Sequence, residues 1–560
     1  MALNKNLIPH IWKLAKIIPI HKPNKPAHVS TSYRPISLLS PIAKTLEKII
    51  LPHITTNIQN NTRQHGFKKQ HSTTTALATI NNTIAQGFNQ KVPPKRTIVV
   101  ALDMSKAFDT VNLYTLIRKI NNNNIPNTVK KFTANYIRGR SCYTKYNNTT
   151  SKQKQFKTGV PQGGVLSPTL FNIYTSDIPE PPPNTSAVLY ADDITLTSTH
   201  QNIQTAKDNI QPYLQEIKDW TSENNLTLNA DKTTTTLFTP DPAEYKTELQ
   251  LTIDNTVLPT NKNPKILGLH FDPKLTYNTH IKNTTTKANS RLKILKALTS
   301  STWGKDKETL EVTYKTLVRP VLEYANTVYS PIISDTQYSK LQKVDNAAKR
   351  IITGCTLDTN TQHLHNETNM LPIKEHYKLH ASIQRQKAQE PSHPLHPYTH
   401  QNPPPRYKKQ TIFQNRGFTH NLDTNPNNTA QDTIKRNCAD IHKHITQQYL
   451  NNRQYNSLLN AQPPDIHHSE KTLDRGTRRT LAQLRTNKSP TLNAYLNKIN
   501  PIAQPTPLCT LCNGNQQHDT RHLFACPRVP TDLGVEDLWR RPTLVGDLLD
   551  EWRGAVGLTG

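Results

Sequence analysis

The alternation of apolar and polar residues predicts strands in the first half of the chain and helices in the second. Residues 97–102 form a β-branched apolar run, which predicts a buried strand. Residues 187–196 form two apolar runs on either side of Asp192 and Asp193, which predicts two short strands joined by a tight turn. Residues 203–225 carry apolar side chains near helical spacing and predict an amphipathic helix.

Helical spacing returns between residues 280 and 350, where three helices are predicted and Pro320 is expected to kink or end the second. From about residue 355 to 500 the chain is rich in Asn, Gln, Thr, His and Pro, which is typical of low-complexity sequence. Within that region residues 389–406 are expected to form a linker. The pattern therefore predicts an α+β chain with a helical, partly disordered C-terminal region.

Three aspartates lie at the ends of predicted strands. Asp103 follows the strand 97–102, and Asp192 with Asp193 forms the tip of the predicted hairpin. Two adjacent carboxylates repel each other, which makes the pair a poor structural choice unless cations such as Mg²⁺, which prefer hard oxygen ligands, bind there. An ordinary Asp-Asp turn is the alternative. Pairing of these strands would gather three carboxylates, which could hold two Mg²⁺ ions ~4 Å apart for nucleotidyl transfer.

The charge of the chain points to a polyanionic partner. Lys and Arg number 69 against 40 Asp and Glu, a net charge of +29. Nucleic acid is favoured over an acidic membrane surface, and a merely soluble basic protein is the alternative. No run of about 18 apolar residues occurs, so no membrane span is expected. Six cysteines do not make a disulfide framework, which indicates a reducing, intracellular compartment.

Two loops have the composition of ligand-binding segments. Around Gly163 a glycine-rich loop precedes a predicted helix, for which Ser167 is expected to be the N-cap. Such a loop allows close backbone approach to a ligand, but it is not a P-loop because no Gly-Lys-Ser/Thr follows. Lys68 and Lys69 follow a glycine and precede hydroxyl side chains, a pattern that suits phosphate contact. A solvated basic loop is the commoner explanation of the second pattern.

Near the C-terminus four side chains have the spacing of a zinc site. They are Cys509, Cys512, His522 and Cys526. One tetrahedral Zn²⁺ fits this set, and we expect it to be structural because all four positions are filled. The ion would hold together a segment, 501–530, that is too small to bury its own core. His518 is a competing ligand, and unpaired cysteines in a disordered tail are the alternative.

Seven short motifs occur in one order along residues 10–275. They are Y-R-P-I-S-L-L at 33–39, H-G-F at 65–67, L-D with A-F-D at 102–109, G-V-P-Q-G with L-S-P at 159–168, Y-A-D-D at 190–193, L-N with K-T at 228–233, and L-G at 267–268. Together they resemble the reverse transcriptase of non-LTR (LINE-type) retrotransposons, close to the jockey-like group. The segment 317–324 and the terminal Cys/His cluster are also similar to the thumb and tail of that family.

The resemblance implies an α+β right-hand polymerase fold. The domains that it implies are fingers at 1–95, palm at 96–275, a helical thumb at 276–355, a low-complexity linker and C-terminal extension at 356–500, a zinc-knuckle-like segment at 501–530 and a tail at 531–560.

The resemblance also implies roles for single residues. Asp103, Asp192 and Asp193 would bind the two catalytic Mg²⁺ ions. Phe108 would exclude a 2′ hydroxyl, and Gln162, beside Gly163, would pack on the incoming nucleotide. Lys232 matches a lysine suggested to protonate the leaving pyrophosphate, with a phosphate-binding or solvated lysine as the alternative. The candidates for binding the triphosphate are Arg34, Lys68 and Lys69.

The expected function is that of an RNA-directed DNA polymerase that extends a primer 3′ hydroxyl on an RNA template. Its partners would be template RNA, a DNA primer or target, and dNTPs, in the nucleus and cytoplasm of a eukaryote. The alternatives are a catalytically silent nucleic-acid-binding remnant, and a reverse transcriptase of the group II intron or telomerase type. Neither an endonuclease segment nor an RNase H constellation is evident in the sequence, so we expect a truncated copy or a fragment.

Overall fold

The computed structural model describes residues 7–58, 61–90, 93–300, 304–400, 409–419, 431–512 and 515–555. The chain divides into two compact units. The first unit comprises Met1–Thr276 with Pro391–Gln414, and the second comprises Tyr277–Glu390 with Asn415–Gly560. Strands occur in the first unit, whereas the described part of the second is helical.

The first unit contains two larger sheets and two small hairpins. Its strands are β1 (Leu14–His21), β2 (Tyr33–Leu38), β3 (Arg96–Leu102), β4 (Ser141–Tyr146), β5 (Thr149–Thr150), β6 (Lys154–Gln155), β7 (Thr185–Tyr190), β8 (Asp193–His200), β9 (Thr234–Phe238), β10 (Thr252–Ile253), β11 (Thr256–Val257), β12 (Lys265–Ile266) and β13 (Leu269–His270). One sheet has the order β2-β1-β4-β5 with β6 beside β4, and the other has the order β7-β8-β3-β9.

The described residues of this unit also form eight helices. They are α1 (His10–Lys13), α2 (Pro41–Thr55), α3 (Thr73–Asn89), α4 (Ala107–Thr110), α5 (Leu113–Asn121), α6 (Asn127–Ile137), α7 (Ser167–Tyr174) and α8 (Ile203–Glu223). The amphipathic helix predicted at 203–225 is α8, whose apolar face, including Ile210 and Leu214, is fully buried. The same core contains Val100 of β3 and Phe171 of α7. Helices that are distant from β3 in sequence therefore pack against this central strand.

Strand β3 lies in the middle of the four-stranded sheet and is buried on both faces, as its continuous β-branched run predicts. It pairs antiparallel with β8, with Leu102 opposite Ile194, and antiparallel with β9, with Ala101 opposite Thr234. Because β3 ends beside the start of β8, the residues that follow β3 and those that precede β8 meet at one edge of the sheet.

The second unit is built from helices. They are α9 (Asn278–Ala297), α10 (Lys307–Thr313), α11 (Arg319–Glu323), α12 (Asn326–Tyr329), α13 (Asp335–Thr353), α14 (Thr361–Thr368), α15 (Ile373–Lys387), α16 (Gln431–Asn451), α17 (Arg475–Leu484), α18 (Asn493–Ile499), α19 (Thr520–Leu523), α20 (Asp537–Arg540) and α21 (Pro542–Ala555). A π-helical turn, Tyr314–Val318, connects α10 to α11, so the distortion expected near Pro320 falls just before that proline.

Composition predicted a low-complexity linker and C-terminal extension in 356–500, but the described residues of this range form five helices, α14 to α18. A buried ion network explains part of this difference. Arg485 is fully buried, and its guanidinium lies 3.0 Å from Glu367 and also pairs with Glu470 and with the carbonyl of Leu538. Partners this far apart in sequence leave no local pattern, so composition could not reveal them. Of the linker expected at 389–406, residues 401–406 lie outside the described range.

Candidate active site and candidate metal centre

The three aspartates meet at one edge of the four-stranded sheet. Strands β7 and β8 pair to their tip, with Tyr190 opposite Asp193, and Ala191 makes the turn with a left-handed φ of 57°. Asp103 directly follows β3, whose last paired residue lies opposite Ile194. The structure therefore brings Asp103 next to the hairpin tip that carries Asp192 and Asp193, as the predicted pairing of these strands required.

The charges of these carboxylates act on one another. Burial and the charges of Asp192 and Asp103 raise the pKa of Asp193 to about 6, although its side chain is open to solvent on one side. Burial and the charge of Asp103 also raise the pKa of Asp192, while Arg34 opposes this rise. A set of oxygen donors that repel one another is the arrangement that a divalent cation stabilises, so these residues fit Mg²⁺.

Asp103 is also held by the loop that precedes β9. Its backbone carbonyl accepts a 2.8 Å hydrogen bond from the N–H of Asn229, and its own N–H donates to the hydroxyl of Thr233 at 3.3 Å. The ammonium of Lys232 lies 3.4 Å from Oδ2 of Asp103, and the Lys232 side chain is 61% exposed. The structure thus places Lys232 at the carboxylate cluster, on its solvent side.

Gln64 supports the hairpin tip, and the sequence reasoning missed it. Its Oε1 accepts from the N–H of Ala191 at 3.0 Å and from the N–H of Gly66 at 2.7 Å. A Cβ on Gly66 would lie 2.5 Å from the backbone nitrogen of Ala191, so only glycine permits this close approach. The H-G-F motif indicated that this loop belongs to the site. No local sequence pattern indicated a role for the buried Gln64 that precedes the motif.

Phe108 lies on α4, which begins four residues after Asp103. Its ring stacks on Phe171 with a centroid distance of 4.4 Å and an interplanar angle of 16°. Phe67 meets the same ring edge-on at 6.3 Å. Held by rings on two sides, Phe108 has little rotational freedom, which is what a steric wall requires.

The glycine-rich loop is fixed between β2 and the segment around Phe108. The carbonyl of Gln162 accepts a 2.7 Å hydrogen bond from the N–H of Ser37, and a Cβ on Gly163 would lie 2.6 Å from the carbonyl oxygen of Ser37. The side-chain amide of Gln162 donates to Oδ1 of Asp109 at 2.9 Å. Burial raises the pKa of Asp109, and the hydrogen bond from Gln162 opposes that rise. Asp109 is thus a second supporting residue, which the sequence reasoning included only as part of the A-F-D motif.

Helix α7 begins differently from the prediction. Ser167 is its first helical residue rather than its N-cap, and the Ser167 hydroxyl has no hydrogen-bond partner within the described ranges. Instead, Oε2 of the buried Glu47 accepts from the N–H groups of Val165 at 2.6 Å and Leu166 at 3.0 Å. The carboxylate of Glu47, on α2, therefore caps the N-terminus of α7, where a negative charge is favourable.

The three basic candidates for triphosphate contact differ in their surroundings. Arg34 and Lys69 are exposed. Lys68 is half-buried, its ammonium donates to the carbonyl of Asn61 at 2.9 Å, and burial lowers its pKa. One of the three N–H donors of the Lys68 ammonium is therefore already used by that carbonyl.

The Cys/His cluster near the C-terminus has the geometry of a metal centre. One donor atom from each of Cys509, Cys512, His522 and Cys526 lies within 4.8 Å of the others. Nε2 of His522 is 3.5 Å from Sγ of Cys512, and Nδ1 of the same ring is 2.9 Å from Oε1 of Gln516. Because the oxygen of Gln516 accepts from Nδ1 of the ring, Nε2 is left available for a metal. Three thiols and one imidazole fit Zn²⁺.

His518 is outside this donor set. Its ring stacks on Trp552 at 5.2 Å, and its Nδ1 accepts from the N–H of Asn493 at 3.3 Å. Cys509 and Cys526 belong to an apolar core that includes Trp552 and extends across α17 to α21. Residues outside segment 501–530 supply most of this core, as expected for a segment too small to bury a core of its own.

Comparison with known proteins agrees with the motifs. Residues 20–271 match the family described as reverse transcriptase (RNA-dependent DNA polymerase). The chain is 30% identical over 392 residues to the probable RNA-directed DNA polymerase from transposon BS of Drosophila melanogaster, covering 68% of this chain and 42% of that protein. It is 27% identical over 368 residues to the RNA-directed DNA polymerase from mobile element jockey of the same organism, covering 63% and 39%.

The chain therefore carries a reverse transcriptase domain and is of the jockey-like type, as the resemblance of its motifs predicted. It spans about two fifths of the length of these relatives. A solved structure of telomerase from Candida tropicalis, truncated from its C-terminal domain, aligns with 48% of this chain and 54% of its own at a TM-score of 0.33 and 11% identity. Among the described residues no helix is both long and apolar enough to cross a membrane.

Proposed function

We propose that this chain is an RNA-directed DNA polymerase that transfers a nucleotide from a dNTP to a primer 3′ hydroxyl on an RNA template. The observation that carries the proposal is the meeting of Asp103, Asp192 and Asp193 at one sheet edge within a domain that matches the reverse transcriptase family. Phosphoryl transfer depends on positioning and charge neutralisation rather than on a protein nucleophile. Three converging carboxylates provide ligands for the cations that would position the reacting groups and neutralise their charge.

Asp103, Asp192 and Asp193 would hold two Mg²⁺ ions. Bound there, the ions would lower the barrier by activating the 3′ hydroxyl and by neutralising charge on the leaving pyrophosphate. The chain's own residues set the geometry: Gln64 fixes the turn at Ala191, and the loop at Asn229 fixes Asp103. Lys232, 3.4 Å from Asp103, would either donate a proton to the pyrophosphate or bind it through its positive charge.

Phe108 would form the wall under the sugar of the incoming nucleotide and so exclude a 2′ hydroxyl. Its stacking on Phe171 supports this role because a held ring cannot move aside for the extra oxygen. Gln162 and Gly163 would face the nucleotide with Asp109 orienting the glutamine amide. The triphosphate would be bound by Arg34, Lys68 and Lys69.

Template RNA and primer DNA are proposed as macromolecular partners, for which the net charge of +29 provides attraction. Residues 1–95 would act as fingers, 96–275 as palm and 276–355 as thumb. The Cys/His cluster, Cys509 to Cys526, would hold one structural Zn²⁺. Reduced thiols require a reducing compartment, so we propose action inside a eukaryotic cell, in the nucleus and cytoplasm.

Primer extension on poly(rA)/oligo(dT) with dTTP and Mg²⁺ tests the proposal. We expect incorporation by the wild-type chain and its loss in Asp192→Ala. Asp208→Ala removes an exposed carboxylate on α8 and is the matched control, which should extend like the wild type. Failure of the folded wild-type chain to incorporate dTMP while a control polymerase succeeds would favour the silent nucleic-acid-binding remnant. Activity retained in Asp192→Ala would contradict the assignment of the site.

A further inference from the structure

A second group of metal-ligand side chains lies in the helical unit, and it shares no residue with the Cys/His cluster. Glu323 is the last residue of α11, and His376 and His380 are four residues apart on α15. One donor atom from each lies within 4.8 Å of the others. Oε1 of Glu323 is 3.0 Å from Nδ1 of His376, and the two imidazole centroids are 4.3 Å apart. All three side chains are half-buried.

Local geometry explains how these donors converge. Residues four apart on a helix lie on one face, which brings the two imidazoles together. Glu323 follows the π-helical turn Tyr314–Val318, and such turns occur frequently at functional sites because they redirect the side chains around them. The hydroxyl of Tyr377, next to His376, donates to the carbonyl of Leu322, next to Glu323. The two helices are therefore tied together at the residues that carry the ligands.

Neighbouring polar side chains orient the donors. The side-chain amide of Asn326 donates a 2.8 Å hydrogen bond to Nδ1 of His380, which orients the ring, so a cation that binds at this nitrogen would replace that hydrogen bond. Arg319 pairs with Glu323 and balances the charge of the carboxylate.

We infer that Glu323, His376 and His380 form a binding site for a borderline divalent cation of the Zn²⁺ class. Two imidazoles and one carboxylate select such a cation over Mg²⁺, which prefers oxygen ligands. Two donors that are each ~2.1 Å from a tetrahedral ion lie ~3.4 Å apart, so separations of up to 4.8 Å would close by at most about 1.4 Å on binding. Three protein ligands leave at least one coordination position of the ion open, whereas the four ligands of a structural zinc site fill all of its positions. The ion would join α11 to α15.

This site does not depend on the proposed polymerase activity, and zinc binding can test it on the full chain. The protein would be dialysed against Zn²⁺ in the presence of excess Mg²⁺, and bound zinc would be counted by elemental analysis. We expect two zinc ions per wild-type chain and one in His376→Gln/His380→Ala. His442→Ala/His444→Ala removes two exposed histidines on α16 and is the matched control, which should keep two. Cys512→Ser should lose the other ion and keep this one.

The affinity should fall by more than about tenfold when a single ligand is lost, since even the loss of an outer-shell partner commonly weakens metal binding by ~10- to 100-fold. His380→Ala, at the less buried end, provides this measurement if the double variant does not fold. Co²⁺ gives a check without any variant. A second equivalent of Co²⁺ should add visible d–d absorption without further thiolate charge-transfer absorption. One zinc per wild-type chain, or two in the double variant, would overturn the inference.

Discussion

Replacing Asp193 with Asn should stabilise the metal-free protein and weaken its response to Mg²⁺. The carboxyl of Asp193 has its pKa raised from 3.8 to about 6 by burial and by Asp192 and Asp103. At ~1.4 kcal/mol for each pKa unit, the rise sets an upper limit of ~3 kcal/mol of destabilisation. Solvent screens a side chain as exposed as this one, so we expect about 1 kcal/mol.

The sign of the effect depends on pH. Between pH 3.8 and 6 the native state holds a proton that the unfolded chain has released, so stability falls as the pH rises through this window. The penalty is complete above pH 6 and absent below 3.8. The gain in Asp193→Asn should therefore be full at neutral pH and shrink as the solution is made more acidic.

Urea unfolding in EDTA at neutral pH and at about pH 4.5 measures this gain. Adding Mg²⁺ should then raise the stability of the wild type more than that of the variant, because a ligand at concentration c that binds only the native state stabilises it by RT ln(1 + c/Kd), which is larger when binding is tighter. Asp208→Asn, which changes an exposed carboxylate on α8, is the control and should show neither effect. A variant no more stable than the wild type at neutral pH, or an equal response to Mg²⁺, would refute the reasoning.

Three other substitutions give direct tests. Phe108→Val should raise rNTP incorporation relative to dNTP at least about tenfold, because removing one steric clash is worth over ~1.4 kcal/mol; single-nucleotide extension measures this, and unchanged selectivity would exclude a steric role. Gln64→Ala leaves the N–H groups of two turn residues without their acceptor; it should cost ~1–3 kcal/mol in urea unfolding and reduce primer extension, and full activity would show that the turn does not need it. Arg485→Met leaves the buried Glu367 and Glu470 without their main cation and should cost ~3–5 kcal/mol of stability, with a smaller loss if nearby Lys307 compensates.

Local sequence determined the strands and the ligands that they carry. A continuous apolar run precedes Asp103, and two more lie on either side of Asp192 and Asp193. These runs specify strands because the pattern of a buried strand is contained in a few neighbouring residues. The same holds for Cys509 and Cys512, whose spacing on one turn places two thiols together. The family resemblance could be recognised from the sequence for a related reason. Its short motifs lie where the chain must turn or approach a ligand closely.

Only the tertiary structure decided which buried polar groups support these elements. Gln64 lies 127 residues before the turn that it holds, and Glu47 lies 118 residues before the N–H of Val165 that it accepts from. Arg485 is paired with Glu367 across 118 residues, and this pairing is part of the reason why helices pack within the described residues of 356–500 although composition predicted a linker. A hydrogen-bond partner can come from any part of the chain that packing brings near, so its identity has no period or spacing in the sequence. The sequence by itself therefore determined where carboxylates and thiols would be displayed, while packing decided what holds them in position.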